Sequence, residues 1–291
     1  MARKQAPYKD ADPQDPPPTY NAAEHSSNPR TSLPVRTQGG AAAGNGKPPP
    51  PRGPLPLDIP VLNHLRGKRV ILASKSPRRR QLLATIGLTN LEILPSTKPE
   101  NLSKADNTPF EYVLQTAIQK CLDVYESTIE TSLASIPDPA LVIAADTVIV
   151  TSTGSILEKP TSHAHHLSML KTLRNQHVHK VYTAVAVLSP REDAKHPGYN
   201  LETTVEETQV FFDESAGDEL IEAYVRTREG ADRAGGYAIQ GMGGLLVEKI
   251  DGSWDTVVGL PVRTTLAMME KVLFDQDGAD AGEEGEEEEE Y

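Results

Sequence analysis

The chain has 291 residues, 37% of them hydrophobic, and a formal net charge of −12, which allows one domain of about 200 residues with tails or two small domains. The acidic balance argues against a nucleic-acid-binding surface, and no run approaches the roughly 18 apolar residues of a membrane-spanning helix. The single cysteine, Cys121, excludes an intramolecular disulfide and suits a reducing compartment, with the cytoplasm as the default.

Residues 1–65 are rich in Pro, Gly, Asn and Ala and poor in large apolar side chains. They cannot bury enough surface to offset chain entropy, so they read as a disordered tail. Within them Pro17-Pro18-Thr19-Tyr20 fits the Pro-Pro-x-Tyr pattern that WW domains bind, which makes a WW domain an expected partner. The folded domain is expected over 66–275, starting near Leu65. Residues 276–291 hold nine acidic groups and no basic one, an acidic disordered tail.

Val70 to Ala73 is a short apolar run that reads as a buried strand. Ser76 stands where a helix N-cap belongs and Pro77 where the first helical residue belongs. Leu82, Leu83 and Ile86 supply the apolar face, and Gly87 is a suitable stop. The turn between strand and helix carries Ser74, Lys75, Ser76, Arg78, Arg79 and Arg80. So much positive charge at a helix start opposes the helix dipole unless an anion sits there, so the turn reads as a polyphosphate cradle, against a solvated basic turn.

Leu91 to Leu94 reads as a second strand, followed by a loop to Glu100. Thr108-Pro109-Phe110-Glu111 is a capping box with proline at the first helical position, and the helix is expected to run to about Tyr125. Val113, Ala117 and Val124 share a face with Lys120, which must snorkel or meet a negative partner. Leu141 to Val150 is the most hydrophobic run and reads as a central strand covered on both faces. Asp146 interrupts it. An unpaired buried carboxylate is costly, so Asp146 should face a cation, a metal or a cleft, or else be a structural Asp held by backbone N–H groups.

Thr153-Gly154 marks a hairpin turn. A helix across Ala164 to Leu173 carries His165 and His166, with His163 just ahead of it. Their spacing does not share a helix face, so they are expected to be solvated rather than metal ligands. Val178 to Leu188 and Leu201 to Phe212 read as strands, with a polar loop over 189–200. Glu214 to Val225 is a helix, followed by a charged crossing from Arg226 to Arg233. Ala234 to Gly244 is dense in glycine, which lets backbone approach a ligand closely. Within it the Gln240 amide is able to donate to and accept from a pyrimidine edge. Leu245 to Ile250 is a strand, and Val262 to Phe274 a closing helix.

Ala73-Ser-Lys-Ser-Pro-Arg-Arg79 with Leu82-Leu83, Ala145-Asp146-Thr147, Lys159-Pro160, the strand His179-x-Val-x-Thr-x-Val185 and the 234–244 motif together resemble the Maf family of nucleoside triphosphate pyrophosphatases, across about residues 68–274. The resemblance implies a single α/β domain with a mixed central sheet and helices on both sides. It implies Asp146 as proton acceptor. Ser74, Arg78, Arg79, Lys120 and Lys159 are implied at the phosphates, and Thr147 and Gln240 in substrate choice. It further implies a divalent cation, Mg²⁺ or Mn²⁺, held by Asp146 with help from Glu100. The glutamine-bearing motif looks like the branch acting on dTTP and UTP. A tryptophan common in the family is absent, with Arg228 near its place, and no role is carried to that position. Two rivals stay open: an inosine-triphosphate-type purine pyrophosphatase, and a nucleotide-binding regulator of cell division without catalysis. Oligomeric state is open too, a homodimer included.

Overall fold

The computed structural model describes residues 55, 57–99, 102–104, 106–130, 136–191 and 198–274. The Pro-Pro-x-Tyr motif, Glu100 and the acidic tail lie outside them. Among the described residues, seven strands form one mixed sheet. β1 (Val70–Leu72) pairs in parallel with β2 (Glu92–Ile93) on one side and β3 (Leu141–Thr151) on the other. From β3 the sheet continues antiparallel through β5 (Val178–Pro190), β6 (Tyr199–Phe212) and β7 (Val247–Asp251). The short β4 (Ile156–Leu157) folds back on β3 as a hairpin.

Alternation along the strands sends side chains to two opposite cores. Val70, Leu72, Leu141, Ile143, Val185 and Val187 face α1 (Pro60–His64), α2 (Pro77–Thr85) and α7 (Val262–Phe274). Ile71, Val142, Ala144, Ala184 and Ala186 face α3 (Pro109–Glu130), whose Val113, Ala117 and Val124 are buried as the helical spacing requires. A third core lies under α4 (His163–Gln176) and α5 (Asp218–Thr227), built from Leu170, Leu173, Phe212, Ile221 and Tyr237. The expected single α/β domain with helices on both faces of a mixed sheet is what forms.

Several local signals act as the sequence reads. The capping box closes reciprocally: the Thr108 N–H donates to Glu111 Oε2 at 2.9 Å, and the Glu111 N–H donates to Thr108 Oγ1 at 3.2 Å. Gly87 takes φ 102° just past α2, where its N–H donates to the Ala84 carbonyl. α7 spans the expected residues. Other boundaries move. α1 lies inside the 1–65 segment read as tail: Pro60 opens it, and Val61, Leu62 and Leu65 are buried, so packing starts before Leu65. β5 and β6 pair out to Pro190 and Tyr199, which shortens the expected 189–200 loop. α5 starts at Asp218 rather than Glu214, because Asp213 accepts from the Ser215 N–H and hydroxyl in a turn that precedes the helix. None of the helices among the described residues is long and apolar enough to cross a membrane.

Candidate active site

One edge of β3 is paired along its length with β5. The other edge is not continuous: β1 pairs only with residues 141–143 and β4 only with residues 149–150. The stretch between them, centred on Asp146 and Thr147, has no strand beside it on that edge among the described residues. β1 ends at Leu72, and its continuation, the Ser74–Arg79 turn, arches over this gap after the Ala73 N–H bonds the Ile143 carbonyl at 2.8 Å. The result is a cleft of about 830 Å³ at the carboxyl end of the parallel strand β1, the usual place for a ligand in an α/β sheet. Ser74, Arg78, Arg79, Lys120, Asp146, Thr147, Lys159 and Gln240 all line it.

Asp146 and Thr147 are consecutive, so their side chains leave opposite faces of β3. Asp146 lies on the α3 side. Lys120 from that helix donates to Asp146 Oδ1 at 2.8 Å, with both side chains mostly buried (16% and 13% exposed). The lysine in the apolar stripe therefore meets a negative partner rather than snorkelling away. Thr147 lies on the other side, within a chain of hydrogen bonds. Arg79 donates to Thr147 Oγ1 (3.1 Å), Ser74 Oγ (3.0 Å) and the Gly259 carbonyl (2.8 Å). Thr147 also shares a hydrogen bond with the buried Thr183 hydroxyl at 3.0 Å, which donates to the Thr256 carbonyl at 2.7 Å. Gly259 is needed here. Its φ is 120°, and a Cβ would come within 3.2 Å of Thr147 Oγ1.

The basic turn behaves differently from residue to residue. Ser76 holds the N-cap position, but its hydroxyl makes no cap hydrogen bond. Instead its N–H donates to Ser74 Oγ at 3.3 Å, so the first N–H groups of α2 take no side-chain cap. Arg79 is bound into the floor of the cleft. Arg78 is half-buried in the wall, where burial and then the charge of Arg233 hold its guanidinium below the usual value. Lys159 is exposed at the rim, beside the Glu158–Lys104 ion pair.

The glycine-rich stretch corrects a sequence expectation. Its glycines admit protein atoms rather than ligand. A Cβ at Gly236 would lie 2.7 Å from the His166 ring, one at Gly241 2.0 Å from the Glu229 carboxylate, and one at Gly243 2.6 Å from the Ala238 N. The loop is tied from outside: His166 Nε2 to the Gly236 carbonyl at 2.6 Å, Tyr224 Oη from the Ala238 N–H at 3.1 Å, and Glu229 from the Met242 and Gly243 N–H groups. His166 is therefore buried and structural, not solvated as its helix position suggests, whereas His163 and His165 are exposed. Arg228 is a helix stop, at φ 63° behind α5. Gln240 is exposed on the cleft wall, and no hydrogen bond among the described residues engages its amide.

Sequence reasoning missed Thr183, Gly259, Glu229 and Arg233. Thr183 and Gly259 each carried a signal, a polar residue inside an apolar strand and a glycine before the closing helix. For the expected cation, the donors among the described residues fit a substrate-assisted mode. Among the described residues no three His, Cys, Asp or Glu side chains could hold a metal ion together. Magnesium, however, is commonly bound by one or two carboxylates plus substrate phosphates, and Asp146 in this cleft suits that.

The family profile described as Maf-like protein matches residues 69–272. The chain is 50% identical over 220 residues to a dTTP/UTP pyrophosphatase of Schizosaccharomyces pombe, covering 75% of this chain and 89% of that protein. It is 37% identical over 194 residues to one from a Thermoanaerobacter species, covering 67% and 91%. With one from Caldanaerobacter subterraneus the identity is 39% over 203 residues, covering 70% and 88%. A match across most of the folded chain, joined to the strand gap, basic turn and Asp146, places this protein in the Maf family.

Proposed function

We propose that the protein is a nucleoside triphosphate pyrophosphatase that hydrolyses dTTP and UTP to the monophosphate and pyrophosphate. The observation that carries this reading is Asp146, 2.8 Å from Lys120, set in the strand gap beneath a turn that presents Arg78 and Arg79. The names of the relatives support the same substrates.

Triphosphate charge would be neutralised by Arg78, Arg79, Lys120 and Lys159, and Ser74 would orient the phosphates. Before substrate arrives, Lys120 neutralises Asp146. A phosphate drawing the Lys120 ammonium toward itself leaves the carboxylate to take a proton from water. The water oxygen bonds to the α-phosphorus as the bond to the bridging oxygen of the β-phosphate breaks, and that electron pair leaves with pyrophosphate. Thr147 and Gln240 discriminate the base end. A divalent cation, Mg²⁺ or Mn²⁺, held by Asp146 and the phosphates would supply further charge stabilisation. The expected second ligand, Glu100, lies outside the described residues. The lone thiol, Cys121, is buried and raised to about 12 by burial, so it is inert and suits a cytoplasmic protein.

The test is phosphate release with added inorganic pyrophosphatase across all ribo- and deoxyribonucleoside triphosphates and modified nucleotides. Highest turnover on dTTP and UTP is expected. A purine preference overturns the substrate assignment in favour of the inosine-triphosphate type, and tight binding without product selects the non-catalytic regulator.

A further inference from the structure

Arg233 sits at the end of the charged crossing and caps the turn Ala234–Gly236. Its backbone is fixed on both sides. Its N–H donates to the Gly230 carbonyl at 3.2 Å, and its carbonyl accepts from the Gly236 N–H at 3.1 Å. The Gly235 N–H bonds the Glu158 carbonyl at 3.2 Å, which stitches the turn to the segment that carries Lys159. A Cβ at Gly230 would fall 1.9 Å from the Gly236 carbonyl oxygen, so the crossing and the turn touch backbone to backbone.

The side chain of Arg233 is only 17% exposed and lines the cleft. Its Nε is buried and makes no hydrogen bond among the described residues. The Asp232 carboxylate stands 3.7 Å away, beyond hydrogen-bonding range, and is itself 79% exposed to water. Across from it is Arg78, half-buried and close enough for the two charges to oppose each other. Two guanidiniums brought together in a partly buried wall repel, an opposition the exposed Asp232 carboxylate eases only in part and a bridging anion would relieve. Their planar forks fit phosphate oxygens.

Resting on the pyrophosphatase reading above, we infer that Arg233 is a substrate-binding residue that grips, with Arg78, the terminal phosphates of the triphosphate and so the pyrophosphate that leaves. The α-phosphate must lie beside Asp146, where Lys120 and the floor-bound Arg79 already stand. The Arg78–Arg233 pair lies on the wall between the basic turn and the glycine-rich loop, and therefore meets charge further along the chain of phosphates.

The experiment is calorimetric titration of the full-length protein with inorganic pyrophosphate and, separately, with UMP, both in magnesium buffer. It is run on the wild type, Arg233→Gln and Arg233→Lys, with UTP kinetics and melting temperatures on the same preparations. Arg233→Gln is expected to weaken pyrophosphate binding at least tenfold and raise KM for UTP comparably, while UMP affinity stays within twofold. Arg233→Lys, which keeps the charge and loses the fork, should recover part of the pyrophosphate affinity at an unchanged melting temperature. Unchanged pyrophosphate binding in Arg233→Gln overturns the inference, as does an equal loss for UMP and pyrophosphate. Because the binding arm needs no turnover, a wild type that binds pyrophosphate but does not cleave UTP would defeat the pyrophosphatase reading while Arg233 is still judged by binding.

Discussion

The two dense motifs of this chain face each other across one cleft and are built in opposite ways. The basic turn between β1 and α2 takes its course from local signals and is then anchored by a few distant bonds. A strand end bonded to β3, a proline-started helix and a left-handed glycine fix its course, and Arg79 anchors it to Thr147 and Gly259. The glycine-rich loop makes its own tight turns, with the Gly236, Gly241 and Gly244 N–H groups each bonding a carbonyl three residues back, but these turns are placed by contacts from elsewhere. It is held by His166, Tyr224 and Glu229, side chains from two helices and the crossing, and its glycines are the places where those atoms come closest. One wall of the site is thus started by short-range signals, anchored at Thr147 and Gly259, and carries charge. The other is specified by distant contacts and carries the groups that read the rest of the substrate. Chemistry should depend on the first wall and the strand gap beneath it, discrimination on the second.

Replacing Asp146 breaks the first side most completely. Asp146→Asn leaves an oxygen for Lys120 and removes the negative charge. Turnover should fall at least about a hundredfold, the usual cost of losing a general base. In metal-free buffer UTP affinity should hold or tighten, since a carboxylate no longer repels the phosphates. The measurement is kcat, nucleotide affinity and melting temperature together. Near-normal kcat would remove Asp146 from the chemistry, and a collapse in melting temperature would make it a structural residue.

The second wall breaks by a different route. Gly230→Ala drives a methyl into the Gly236 carbonyl oxygen, which is backbone and cannot swing aside. Overpacking of this kind costs about 1–3 kcal/mol, and here it also shifts the loop bearing Arg233 and Gln240. Gly154→Ala is the control. It strains a φ of 85° in the β3–β4 hairpin but meets nothing within 4 Å, so it should cost about 1 kcal/mol and leave KM alone. Denaturant melts with UTP kinetics separate the two. If both glycine variants raise KM alike, the loop is not the rigid wall described.

How much of this was legible follows from the same contrast. The central strand, the capping box of α3 and the limits of α7 are written in runs and spacings only a few residues long, and they form as read. Asp146 and Lys120 were each anomalous in an apolar setting, and they turn out to answer each other from 26 residues apart. The gap in the edge of β3 was not legible, because nothing in the strand tells where its neighbours stop. His166 looked like one more solvated histidine, since its burial depends on a carbonyl 70 residues downstream. The glycines declared freedom of backbone but not what would fill the space. Arg233 was lost in a charged crossing whose sequence looks the same whether its arginines face water or a cleft.

Gln240 sharpens the comparison at smaller scale. If its unengaged amide reads a pyrimidine edge, Gln240→Ala should narrow the preference for dTTP and UTP over purine triphosphates. A lost hydrogen bond whose partner is left buried is worth roughly 1–3 kcal/mol, so about tenfold or more in the kcat/KM ratio. An unchanged ratio would move base discrimination elsewhere on the wall.

The last test concerns how the glycine-rich wall is held to the sheet. His179 on β5 is buried against Phe212 and Tyr237, shares a hydrogen bond with Tyr237 Oη at 2.8 Å, and leaves Nδ1 buried without a partner among the described residues. Burial pushes its pKa down from 6.5 to about 3. In the unfolded chain the imidazole takes up a proton near pH 6.5, whereas in the folded protein it stays neutral until about pH 3. Between those values the unfolded state binds more protons, so stability falls as pH drops, by at most about 1.4 kcal/mol per pH unit from this group. Above pH 6.5 the term vanishes. His179→Gln keeps a hydrogen-bonding group for Tyr237 and has nothing to titrate. Its melting temperature should therefore decline less than that of the wild type between pH 6.5 and 4.5, whatever the offset at neutral pH. Parallel curves for the two proteins would mean that His179 is protonated in place, and that Tyr237 is not held to the sheet by a neutral imidazole.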